Sequence, residues 1–129
     1  MDFYLDEQLP KRVANALHEL ERYEDKHNVY STEMKFGKGV KDPDLYDKLK
    51  NVNGILISND LRMKTRSNEF TLLKELGITA FLISLPSGSG YWIKVKTIIN
   101  NWDEIKSTSE KCKHPFIRRI KMRGESEFL

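Results

Sequence analysis

Phe3-Tyr4-Leu5-Asp6-Glu7-Gln8-Leu9-Pro10 is the stretch whose reading decides the fold. An apolar run ends on two carboxylates, and a proline then opens an amphipathic segment, so Asp6 and Glu7 fall where a strand hands over to a crossover helix. In open α/β sheets, ligands bind outside the carboxyl ends of parallel strands. The acid-tipped first strand therefore marks one candidate edge, and acids ending later parallel strands would join it there.

Working outward, Pro10 suits a first helical position, and Val13, Ala16, Leu17 and Leu20 recur at helical spacing as far as Glu21. His27 to Phe36, with Val29, Tyr30 and Phe36, predicts a second strand that Gly37-Lys38-Gly39 breaks. Asp42 suits an N-cap, Pro43 the first helical position and Asp44 the positive first turn, with Leu45 and Leu49 as a short apolar face. Gly54-Ile55-Leu56-Ile57-Ser58 has no polar alternation, which fits a strand covered on both faces, and the acid Asp60 follows it.

Ser67 or Asn68 then caps a helix carrying Phe70, Leu73 and Leu76, which Gly77 ends, and Ile78 to Ser84 reads as another buried strand. A loop over Pro86 to Gly90 precedes a helix with Trp92, Val95, Ile98, Ile99, Trp102 and Ile105 on its apolar side. Pro115 to Arg123 reads as a final strand. Strands and helices alternate throughout, which predicts a three-layer α/β domain with a mainly parallel central sheet.

The 129 residues suit a single domain spanning 1–129, long enough to bury a core without staples. No apolar run approaches the ~20 residues of a membrane span, and the N-terminal residues lack the pattern of a secretory signal. One cysteine, Cys112, allows no intrachain disulfide, so a cytoplasmic protein is expected. Net charge is only +3, but Lys111, Lys113, Arg118, Arg119, Lys121 and Arg123 cluster late while the acids lie earlier. That separation suits a polyanion held by cations and processed at carboxylates, and equally an ordinary solvated surface.

Right-handed crossovers bring Asp6 and Glu7, Asp42 and Asp44, and Asp60 toward one rim. Crowded carboxylates repel one another unless a cation neutralises them, and Mg²⁺ and Mn²⁺ prefer oxygen ligands. Such a site activates water for attack on phosphorus. Taken singly, each acid has a structural explanation: Asp42 as a cap, Asp60 in a turn, Glu7 at a helix start. Arg62, Lys64 and Arg66 follow Asp60 closely, where they suit phosphate contacts or a plain charged surface. His18 and His114 have no acid at ligand spacing and read as structural.

Phe3 to Pro10 resembles the opening of compact PIN-like domains, an apolar strand followed by Asp-Glu-Asn-Leu-Pro. Ile55 to Asp60, with Arg62, Lys64, Arg66, Ser67, Asn68 and Glu69 behind it, resembles their third strand and its Thr-Arg-Asp motif. Pro115-Phe116-Ile117-Arg118-Arg119-Ile120 is similar to the tail of the VapC45-like subgroup. Gln8 stands where the pattern has Asn, Ser58-Asn59 where it has Thr-Arg, and no clear fourth acid follows Ser84.

The resemblance implies a metal-dependent ribonuclease, commonly the toxin of a toxin–antitoxin pair. By position it implies Asp6, Asp42 and Asp60 as catalytic, metal-binding acids, with Glu7 and Asp44 secondary, Mg²⁺ or Mn²⁺ as cofactor, and RNA and an antitoxin protein as partners. Arg62, Lys64 and Arg66 would bind substrate, and a homo-oligomer is compatible with this. Two other readings use the same acids. One is a PIN-like module that binds nucleic acid without cutting it; the other is a phosphoacceptor receiver-like domain with Asp60 as acceptor, although Leu85-Pro86 stands where that family has Lys-Pro.

Overall fold

The computed structural model describes residues 1–40, 42–59, 67–86, 88–121 and 126–129, with only the backbone of 42, 67–69, 126 and 127. Six strands form one sheet: β1 Asp2–Leu5, β2 Asn28–Ser31, β3 Ile55–Asn59, β4 Ala80–Ser84, β5 Ile117–Lys121 and β6 Ser126–Phe128. Five helices connect them: α1 Lys11–Glu21, α2 Thr32–Phe36, α3 Asp42–Asn51, α4 Ser67–Leu76 and α5 Tyr91–Lys111. The strand order is β2-β1-β3-β4-β5-β6; the first five are parallel and β6 runs antiparallel to β5.

Side-chain alternation along β1 builds two cores. Phe3 and Leu5 face α1 and α5, where Val13, Leu17, Ile98, Trp102 and Ile105 are buried. Tyr4 faces α3 and α4 with Leu45, Tyr46, Leu49 and Leu73. Helices on both faces of a mainly parallel sheet make the expected three-layer α/β architecture. β3 and β4 are buried at all but their last residue, as continuous apolar runs require.

Several expected details differ. The strand read over 27–36 ends at Ser31, whose hydroxyl accepts the Met34 N–H at 3.1 Å and starts α2. An N-cap with a side-chain acceptor diverts the chain from the sheet. Pro10 is the N-cap of α1 rather than its first helical residue, and α3 begins at Asp42 itself. In α1 the buried residues are Val13, Ala14 and Leu17, while Leu20 is 67% exposed. In α5, Val95, Ile98, Trp102 and Ile105 are buried, whereas Trp92 and Ile99 lie outside. At ~100° per residue those two sit roughly a quarter turn off the stripe's centre.

Candidate functional site

The connection from β1 through α1 leads to β2 on one side, and the next connection crosses to β3 on the other side of β1. Neighbouring strands whose connections depart in opposite directions open a crevice at their carboxyl ends. Asp6 occupies that point. Its N–H still donates to the Ile57 carbonyl at 2.9 Å, and its own carbonyl accepts the Leu9 N–H at 2.9 Å, so the β1–α1 turn is anchored to β3.

The Asp6 side chain continues the Tyr4 face of β1 and is 3% exposed. Leu5 pairs in register with Ile57, which puts Ser58 alongside Asp6, and the Ser58 hydroxyl donates to Asp6 Oδ2 at 3.2 Å. Leu5 also pairs with Ser31, which puts Thr32 on the other flank. A cavity of about 80 Å³ lies there, lined by Asp6, Glu7, Gln8 and Thr32 and roofed by Gly37, Val40 and Leu45. The Thr32 hydroxyl is buried and, among the described residues, has no hydrogen-bond partner.

Beyond the cavity, Glu7 is exposed, and its Oε1 accepts the Gly39 N–H at 2.7 Å. This bond ties the β1–α1 turn to the loop before α3. Asp42 opens α3 between the cavity residues Val40 and Leu45. Its side chain is outside the described residues, as are Asp60, Arg62, Lys64 and Arg66 altogether. Asp44 is exposed on the first turn of α3. Two residues before Asp6 on the same face of β1, burial and the nearby Asp2 and Tyr30 push the Tyr4 phenol up to about 12.

Asp6, Glu7 and Thr32 offer only oxygen donors, and an orphaned buried hydroxyl among them is an unsatisfied polar group that a cation would complete. The donor chemistry fits a hard divalent ion. Among the described residues, no three His, Cys, Asp or Glu side chains converge to hold a metal. A ligand set of three carboxylates here would have to draw on side chains outside the described ones, such as Asp42 or Asp60. Thr32 carries no motif signal in the sequence, and Ser58 stands out there only as a departure from the Thr-Arg-Asp pattern.

Other polar groups have structural work. His18 Nδ1 accepts the Val29 N–H at 3.0 Å, and His114 bonds Thr79 and the Ser109 carbonyl at 2.9 and 2.7 Å. Arg118 pairs with Glu104 on α5 at 2.7 Å and also bonds Thr108, so this cation of the late basic cluster is turned to the fold.

A doubly wound α/β domain with a buried acid at its switch point is the class that fold and site define. Within that class, residues 1–85 match the family described as PIN like domain, and the chain belongs to that family. No curated protein and no solved structure matches it. Among the described residues, no helix is long and apolar enough to cross a membrane.

Proposed function

We propose that this chain is a metal-dependent endoribonuclease whose site centres on Asp6. The observation that supports this best is the buried Asp6 carboxylate, oriented by Ser58 beside an orphaned hydroxyl at the β1/β3 switch point of a PIN-like chain. Asp6, Asp42 and Asp60 hold Mg²⁺ or Mn²⁺, with Glu7 and Asp44 at the margin. When bound, the ion supplies positive charge against a phosphodiester and acidifies water. Ser58 keeps Asp6 in one rotamer. The Glu7–Gly39 bond fixes the loop that carries Asp42 toward the cavity, and Arg62, Lys64 and Arg66 contact phosphates.

In the same reading residues 1–129 form one domain of the VapC45-like subgroup, acting in the cytoplasm as the toxin of a pair with an antitoxin protein. RNA cleavage in Mg²⁺ or Mn²⁺ against chelator tests it. Asp6→Asn and Asp60→Asn should each lower the rate by at least the roughly 10–100-fold that disturbing even a ligand's partner costs. Full activity in both variants overturns the assignment. Salt-dependent RNA binding without cleavage under any metal points instead to a binding module.

A further inference from the structure

On the far side of the β1–α1 turn from the acid cavity lies a groove of about 420 Å³. Glu7 and Gln8 line both, so cavity and groove form one continuous surface. Lys11 and Arg12 from the first turn of α1 and Lys94 from α5 line the groove. Among the described residues none of these cations is in an ion pair, and the first turn of α1 carries no acid. Lys94 Nζ donates to the Gln8 carbonyl at 3.3 Å, which pins an ammonium where groove meets cavity. Two carboxylates share the groove, Glu33 on α2 and Glu7 at the turn, and Glu7 already accepts the Gly39 N–H, so cations outnumber acids three to two.

Tyr91 also lines the groove, and its ring meets Trp92 edge to face at 5.3 Å. The two are 44% and 67% exposed. Aromatic surface left in water beside unpaired cations matches an unstacked nucleotide, which brings one flat base and one negative charge. We propose that this groove is a track for single-stranded nucleic acid leading to the acid cavity. Lys11, Arg12 and Lys94 hold phosphates, and Tyr91 and Trp92 stack bases. The strand's destination rests on the ribonuclease reading; the binding itself does not. A duplex keeps its bases stacked internally and offers the rings nothing, so the groove selects unpaired strands.

Fluorescence anisotropy of a labelled oligouridine of about ten nucleotides, with the full chain in chelator, measures the track without cleavage. Lys11→Glu/Arg12→Glu should weaken binding about tenfold or more and lower the salt slope by about 1.4. Tyr91→Ala/Trp92→Ala should weaken it roughly 5–100-fold with the salt slope kept. Acids in a first helical turn favour the helix, so charge reversal leaves α1 folded, which circular dichroism verifies. The proposal is overturned if wild type binds no single strand, if either double variant binds as wild type, or if a duplex of equal length binds as tightly. Displacement by polyglutamate as readily as by RNA also overturns it, in favour of an acidic protein partner. A wild-type chain that binds through this groove yet cuts nothing defeats the ribonuclease reading and leaves the track standing.

Discussion

Thr32 is where a single side chain separates a structural site from a binding one. Its buried, partnerless hydroxyl costs the empty fold something, since an unsatisfied polar group gives up water without replacement. Thr32→Val keeps the shape and removes the hydroxyl. The metal-free variant should melt at the same temperature as wild type or slightly higher, and the upward shift that the proposed site predicts for wild type in Mn²⁺ should be smaller in the variant. An unchanged Mn²⁺ shift removes Thr32 from the site. Gly54 is constrained in a different way. A Cβ there would stand 2.6 Å from Tyr4 Cε2 and 3.1 Å from Leu49 Cδ2, and Tyr4 is fully buried and stacked on Phe36 at 5.3 Å. Gly54→Ala should therefore cost about 1–3 kcal/mol in denaturant unfolding, as overpacking does.

Among the elements, α1 and α5 lie on the same face of the sheet and are joined by a small charged cluster. Glu21 Oε2 accepts from Lys106 at 2.9 Å and from Trp102 Nε1 at 3.3 Å, with Glu21 and Lys106 side chains 11% and 22% exposed. Burial, the largest influence on Glu21, acts to raise its pKa, but the hydrogen bonds and the Lys106 charge outweigh it and hold the carboxyl below its ordinary 4.5. Burial likewise acts against the Lys106 charge, yet Glu21 keeps that ammonium above its ordinary 10.5. A lowered carboxylate contributes stability above its unfolded pKa and loses it as pH falls through the folded one; a raised ammonium contributes below its unfolded pKa and loses it as pH rises through the folded one. The cluster thus stabilises between these limits. Glu21→Gln should cost about 1 kcal/mol at pH 7, and its melting curve should converge on that of wild type under acid. A difference that persists at low pH excludes this ion pair as its cause.

Which elements were legible in the sequence follows from how each is built. Ile55–Asn59 and Ala80–Ser84 carry unbroken apolar runs because helices cover both faces, and no other arrangement hides such runs so well. The five residues of α2 complete barely more than one turn, so no period emerges, and Val29, Tyr30 and Phe36 made the segment look extended. β6, three residues long, is held by pairing with β5 and has no pattern of its own. Of the candidate site, the place of Asp6 at the end of β1 was legible, since an acid ending an apolar strand is a local signal. The place of Thr32 was not, because it comes from β2 lying beside β1, a neighbour relation between residues far apart in sequence.

At the scale of the whole molecule, the winding of the sheet sets one crevice, and the chemistry on its two sides differs. The acid cavity lies on the face covered by α2 and α3, while α1 and α5, on the opposite face, supply the cations of the neighbouring groove. The outer border of the same sheet has its own protection. β2 is one of the sheet's two terminal strands, β6 being the other, and an exposed terminal strand is a template on which a second chain can add itself. His18 occupies the Val29 N–H that such an intruder would seek, so an imidazole from the adjoining helix serves as a stopper against runaway strand addition. Strand addition at this border therefore has one main-chain donor fewer to start from.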